Sequence, residues 1–256
     1  RLKDRELVAE CVVDITSIED LKKIEVEGNL VRIGAAVTHQ QIVSSALLKK
    51  KVPLLVEASA EVGTPQVRNQ GTVLGNIINA QPAADTAVAL MALGAEMRVM
   101  SQNESRWWPL EDLYEGVGIS KVKSDQELAV EVRFPVIQVN QGCAYIRMRG
   151  RNDLWLPTLN TAVIVTIEDN KFVSGSISIA PVAPRPLRAK KAEEILKGAL
   201  LTEKMIDEVA KKASEEANPR DSLLRGSSEY RKEMVAILVR DALCKAVKNV
   251  KKTKIN

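Results

Sequence analysis

The chain carries one histidine, His39, and three cysteines, Cys11, Cys143 and Cys244, spaced far apart. That scarcity excludes a zinc or iron–sulfur centre of ordinary ligand set built by this chain alone. It also leaves no Cys–His pairing for nucleophilic catalysis and little for acid–base work. An odd, dispersed set of cysteines is no disulfide framework, and it suits a reducing, cytoplasmic setting. Aromatic residues make up only 3%, so aliphatic side chains must fill any core. Charge of one sign is barely in excess: 37 − 33 leaves +4. The excess sits in Lys49–Lys51 and the closing KNVKKTKIN, both read as solvated faces. Nucleic-acid binding needs a denser basic patch and is not expected. There is no secretory leader pattern and no apolar run of about 18 residues, so membrane insertion is not expected either.

What is present is an aliphatic chain of 256 residues, 45% of them hydrophobic, enough for two domains. The first recognisable element, CVVDI within Leu7–Ile15, reads as a buried strand already in progress. Further residues upstream of Arg1 in the natural protein are therefore expected. SIEDLKKIEVEGN reads as a helical turn, a strand and a Gly-Asn turn, and 30–37 alternates as a strand. Thr38 opens T-x-x-Q, a capping box with Gln41, before a helix to about Lys50. Pro53 starts a second helix that Gly63 ends. Asp85 caps a third, stopped by Gly94. Strands follow at 95–100 and 128–134. Trp107 and Trp108 read as packing.

The polar stretch 137–141 is the best boundary, giving domains 1–137 and 138–256. The second half reads as strands 143–148, 158–167 and 172–179, the last two joined at Asn170–Lys171. Helices are expected at about 187–197, 202–217 and 227–248, with Thr202 capping the middle one. A meander followed by a helix layer is an α+β arrangement.

The stretch everything else answers to is PQVRNQGTVLGNIINAQPAADT, 65–86. Two glycines, six side-chain amides and two prolines mark it as a loop. Val67, Val73, Leu74, Ile77 and Ile78 need burial, so an ordered loop is expected. Thr72, Gly75 and Asn76 offer a hydroxyl, a side-chain-free N–H and an amide within five residues, a set suited to phosphate oxygens. The alternative is a surface turn whose amides bond only their own backbone.

PQVRNQGTVLGNIINAQPAAD resembles the flavin loop of the FAD-binding medium subunits of molybdenum hydroxylases, the family of carbon monoxide and xanthine dehydrogenases. LVRIGAAVTH is similar to its strand-and-turn, and APRPLRAKKAEEILKG and RGSSEYRKEMVAILVRDAL resemble two signatures of its C-terminal domain. The resemblance spans nearly the whole chain. It implies an FAD-binding α/β domain of the molybdopterin-dehydrogenase flavoprotein type, followed by an antiparallel sheet with a helix layer. It implies FAD as cofactor, with Thr72, Gly75 and Asn76 at the phosphates and ribityl side, and Asp85 on a flavin hydroxyl or anchoring the loop. Ile33 and Gly34 would lie near the flavin, or form a buried strand end. Arg147 or Arg149 in YIRMRGRND would reach the isoalloxazine carbonyl, with Asp153 pinning it. Otherwise Arg147, Arg149 and Arg151 form a solvated edge. His39 is read as a surface residue.

The implied partners are a molybdopterin-containing large subunit, which hydroxylates the substrate, and a [2Fe–2S] small subunit. Electrons would pass from the clusters to the flavin and leave to NAD+ or another acceptor. Two departures motivate an alternative, a flavin-free scaffold subunit of the same complex. Leu74 stands where the family has glycine, at a cost of about 1–2 kcal/mol if positive φ is needed there. The family's Ala-Gly-Gly loop, expected before CVVDI, does not occur in this sequence. A stand-alone flavoenzyme is disfavoured by the C-terminal signatures.

Overall fold

The computed structural model describes residues 9–149 and 156–253. Residues 9–15, expected as a strand, belong to no sheet, and Val12 and Val13 are 70% and 76% exposed. Of their β-branched side chains only Ile15 reaches the core, where it is partly buried; Leu7 lies outside the described residues.

Regular structure starts with a 3-10 turn, Glu19–Lys22, and a hairpin of β1 (Ile24–Glu27) and β2 (Leu30–Gly34). Gly28 turns it at φ 60°. Thr38 builds its capping box with Gln41. The helix expected to follow is two: α1 (His39–Ser44) and α2 (Ala46–Lys51). Ser45 is extended, and its hydroxyl accepts from the Leu48 N–H, which restarts the helix. Next come α3 (Pro53–Ala60), α4 (Pro65–Gln70), α5 (Val73–Ile78) and α6 (Asp85–Ala92). β3 (Glu96–Met100), β4 (Ser105–Pro109), α7 (Leu110–Leu113), the short pair β5 (Tyr114–Gly116) and β6 (Ile119–Ser120), and β7 (Leu128–Pro135) close this half.

The first sheet has the order β1-β2-β7-β3-β4, every pair antiparallel. Alternation sorts its faces. Val31, Ile33, Met97, Val132 and Phe134 face the helices and are buried. The other face is an ion-pair ladder: Glu131 accepts from Arg32 at 2.8 Å and Arg98 at 3.0 Å. Arg133 stacks over Trp107 and Arg106 over Trp108, at 3.9 and 4.4 Å. Trp107 thus packs against an arginine on the ladder face, while Trp108, opposite the buried Met97, packs partly against the core.

The second sheet comprises β8 (Gln141–Met148), β9 (Leu159–Glu168), β10 (Lys171–Ala180) and β11 (Leu187–Arg188), in the order β11-β10-β9-β8. The β9–β10 turn is Asp169–Asn170, both at positive φ, one residue earlier than the sequence suggests. A type I′ turn needs left-handed backbone twice, which Asp and Asn tolerate and Lys does not. Helices α8 (Lys190–Leu196), α9 (Glu203–Glu216) and α10 (Ser228–Thr253) follow. The first begins later than expected, because Leu187 and Arg188 extend the sheet beside Ser178 and Ile179.

β9 is the middle of a layered stack. Ala162 and Ile164 join the core shared with α6 and the first sheet, while Val163, Val165 and Ile167 join the core under α8–α10. Helix α6, buried along its whole length, fills the space between the two halves. Helix α10 lies on β8 so closely that a Cβ at Gly142 would fall 2.0 Å from the Ala246 carbonyl oxygen. Gly142→Ala must therefore push a helix backbone. We expect a loss of about 2 kcal/mol in denaturant unfolding, the usual cost of overpacking; a midpoint equal to wild type would disprove the close seating.

Candidate functional site

The stretch 65–86, expected as a loop, is mostly two short helices. Thr64 accepts from the Val67 N–H and is followed by Pro65 at the first helical position. Thr72 accepts from the Gly75 N–H at 3.0 Å and starts α5. Six-residue helices are too short to show a helical period, which is why the pattern reads as a loop. The Thr-Pro pair at 64–65 was the usable signal.

The stretch is tied down from behind. The His39 N–H donates to the Gly71 carbonyl at 3.0 Å and the Val73 N–H to the Val37 carbonyl at 3.2 Å. Arg68 Nη1 donates to the carbonyls of Ala60, Val62 and Gly63, each at 3.2 Å. Ala80, buried between α5 and α6, is held at φ 49°, a left-handed conformation that costs alanine about 1 kcal/mol.

Val73, Leu74 and Ile77 turn into the core, and Leu74 is 2% exposed. Leu74 sits within a right-handed helix, so the position asks for no positive φ. What remains outward is Thr72, Gly75 and Asn76, with Gly75 exposed and the other two half-buried. The Gly75 N–H is taken by Thr72, whose own hydroxyl proton stays available. Thr86 Oγ1 donates to Asn76 Oδ1 at 2.6 Å, which fixes the amide. Its Nδ2 has no partner among the described residues.

Asp85 is not the cap of α6. Ala84 is, and Asp85 takes the first helical position, where a carboxylate is favoured by the helix dipole. Its side chain turns inward to the second sheet. Tyr145 donates its O–H to Asp85 Oδ1 at 2.5 Å, Asn160 Nδ2 donates at 3.1 Å, and Arg147 Nε lies 3.2 Å away. Arg147 also reaches Glu61 at 3.4 Å, and Arg149 pairs with the same carboxylate.

Burial pushes the Asp85 carboxyl pKa up, against the lowering effect of Tyr145, Arg147 and Asn160. Burial, then the Asp85 charge, pushes the Tyr145 phenol well up too. Both groups resist losing a proton, while the Arg147 guanidinium beside Asp85 favours its charged form. The Arg147 side chain is 7% exposed, which rules out the solvated-edge reading for this residue. Arg151 and Asp153 lie outside the described residues.

The structure thus brings Asp85 and Arg147 into contact, with Arg149 on the shared Glu61, and sets Thr72, Gly75 and Asn76 one helix away. Asn76 connects to this group through Thr86, the neighbour of Asp85. Ile33 is not in it: its side chain is fully buried in the first core. Gly34 packs on protein backbone, since a Cβ there would meet the Leu21 carbonyl oxygen at 2.2 Å. Sequence reasoning missed Tyr145, Asn160 and Glu61 as members. Tyr145 carried a signal, since it lies two residues from Arg147 and so on the same strand face.

His39, read as a surface residue, is 2% exposed, and its Nδ1 is buried without a partner. It sits at the first turn of α1 behind Gly71. Burial, aided by the Arg68 charge, brings its pKa down from 6.5 to about 4. Between these values the unfolded chain binds a proton that the native state refuses. Stability is therefore full above pH 6.5 and declines as pH falls towards about 4, by on the order of 3 kcal/mol at most. Because His39 is the only histidine, its imidazole proton resonance reads this directly. We expect a midpoint close to 4 and loss of that part of the pH dependence in His39→Phe. A midpoint near 6.5 would contradict the burial.

Among the described residues no group of three His, Cys, Asp or Glu side chains gathers as a metal would require. No helix among them is long and apolar enough to cross a membrane.

Comparison with known proteins agrees along the whole chain. Residues 1–137 match the family described as the FAD binding domain in molybdopterin dehydrogenase, and 144–246 match the CO dehydrogenase flavoprotein C-terminal domain. The carbon monoxide dehydrogenase medium chain of Afipia carboxidovorans is 31% identical over 245 residues, covering 96% of this chain and 84% of the relative. The glyceraldehyde dehydrogenase medium chain of Sulfolobus acidocaldarius is 32% identical over 241 residues, 94% and 84% of the two chains. A crystal structure of Cu,Mo-CO dehydrogenase in its cyanide-inactivated form superposes with a TM-score of 0.88 at 31% identity, over 98% of this chain and 85% of that one.

Proposed function

Since the chain belongs to the FAD-binding medium subunits of CO dehydrogenase-type molybdenum hydroxylases, we propose that it holds FAD against the Thr72–Asn76 edge and the Asp85–Arg147 cluster. In this reading it relays electrons from the [2Fe–2S] clusters of a small subunit to an acceptor such as NAD+. It is a subunit of an oxidoreductase complex with large and small partners. The molybdopterin centre that attacks the organic substrate would belong to the large one. A cytoplasmic setting suits three cysteines that are all unpaired.

The residues present fit the cofactor. Gly75 leaves the outer face of α5 open, since a Cβ there would crowd the Thr72 hydroxyl at 2.9 Å. The Thr72 hydroxyl and Asn76 Nδ2 are donors of the kind a diphosphate needs. Leu74 points to the core and leaves that approach clear. This removes the first of the two reasons for reading the chain as a flavin-free scaffold.

When bound, the flavin supplies a redox centre that accepts electrons singly and yields them in pairs. The chain's part is to hold and tune. Arg147, fixed by Asp85 and Glu61, presents a buried positive charge suited to negative charge on the pyrimidine end of the ring. Asp85 keeps that arginine oriented and can accept from a ribityl hydroxyl. The observation that carries the proposal is the contact between Asp85, at the end of the polar stretch, and Arg147 on the second sheet.

The test is to assemble the complex and add its organic substrate without an acceptor. The visible flavin bands should bleach, and recover when the acceptor is supplied. Bands that stay unchanged while the iron–sulfur signals reduce would overturn the relay.

A further inference from the structure

The signature RGSSEYRKEM has no part in the flavin site, yet it places two arginines in a second cavity. Arg225 and Arg231, with Arg220, line a space of about 500 Å³ beside Pro82 and Pro184. That size is typical of a small-molecule site.

Arg231 is 3% exposed. Its Nη1 donates to the Arg220 carbonyl at 2.9 Å and its Nη2 to the Pro181 carbonyl, while its Nε is buried with no partner. No carboxylate among the described residues pairs with any of the three guanidinium groups. Asp221 stands on the rim, but its Oδ1 is taken by the Ser228 N–H at 2.6 Å. Burial, and then the Arg225 and Arg220 charges, lower the pKa of Arg231.

Tying two loops together needs only the two Nη groups of Arg231. It explains neither the unused Nε nor two further cations turned to the same space. A buried cation without a counter-charge is costly. Arg231 is such a cation, and with the half-buried Arg225 and the exposed Arg220 lining the same cavity it marks a place suited to an anion with several acceptor oxygens. The facing wall is apolar, formed by Pro82, Ala83, Val182 and Pro184.

We propose that this cavity binds an organic phosphate, with Arg225 and Arg220 taking the phosphate, the buried Arg231 adding its charge and the proline-lined wall taking the apolar portion. The assignment stands apart from the flavin reading, because its donors come from a different segment of the chain.

The probes are ADP and inorganic phosphate, titrated calorimetrically at fixed ionic strength into FAD-saturated protein, with flavin absorbance recorded throughout. A parallel titration uses Gly75→Asp, which disables the Thr72–Asn76 edge, so that a failure of the flavin reading is told apart from a failure here. ADP should bind saturably, one per chain, in both proteins and without releasing flavin. Inorganic phosphate should compete with it more weakly. Arg225→Gln and Arg220→Gln remove side chains that make no hydrogen bond among the described residues, so folding is spared. Each should weaken ADP binding by about tenfold, the loss of one charge-assisted contact. No saturable binding, equal affinity in Arg225→Gln, or binding of phosphate without ADP would each overturn the assignment.

Discussion

Asp85→Ala should lose about 3–5 kcal/mol of stability, the range for removing one partner of a buried ion pair, and should release FAD. Three consequences add up. Arg147 loses the Asp85 carboxylate that lies 3.2 Å from its Nε. The Tyr145 hydroxyl and the Asn160 amide lose the acceptor they converge on, and buried unsatisfied groups cost about 1–3 kcal/mol each. A small void opens between α6 and the second sheet. Asp85→Asn separates charge from hydrogen bonding: its carbonyl still accepts from Tyr145, so it should recover part of the stability while removing the negative charge beside Arg147. Urea unfolding of the three proteins measures this. An alanine variant within about 0.5 kcal/mol of wild type would mean the cluster does not join the two halves.

Gly75→Asp is expected to do the opposite: spare the fold and abolish flavin binding. The new Cβ crowds the Thr72 hydroxyl, so the cost in stability is about that of one helix cap, roughly 1 kcal/mol. The carboxylate, however, would face the diphosphate at the exposed edge of α5. FAD affinity should fall at least about 100-fold, some 3 kcal/mol. Asn76→Ala, which removes one donor, should fall between the two. Equilibrium dialysis against FAD reads the affinities, and retained binding in Gly75→Asp would place the phosphates elsewhere.

How much of this was legible beforehand follows from the range of each interaction. The Thr38–Gln41 capping box, the Pro53 helix start and the Gly94 stop depend on three or four neighbouring residues, and the sequence displays them. The cluster at Asp85 does not work that way. Arg147 and Tyr145 are on one strand, Asn160 lies opposite Arg147 on the next by register, and Asp85 comes from a helix 60 residues before Tyr145. Composition and spacing cannot show such a meeting; the resemblance to a family supplied Asp85 and Arg147, and the fold supplied Tyr145, Asn160 and Glu61. His39 misled because a lone polar residue after a helix cap normally faces water, whereas here the helix turns it behind Gly71. Residues 9–15 misled because an apolar β-branched run becomes a strand only where another strand lies alongside.

The central claim, that a hydroxyl, an exposed glycine and an amide at the start of α5 hold a diphosphate, is tested most directly by comparing FAD with riboflavin. Both carry the same ring, and only FAD carries the phosphates. Fluorescence titration should give one FAD per chain and an affinity for riboflavin at least about 100-fold weaker, the share expected of several charge-assisted hydrogen bonds. Equal affinities, or no saturable quenching with FAD, would contradict it.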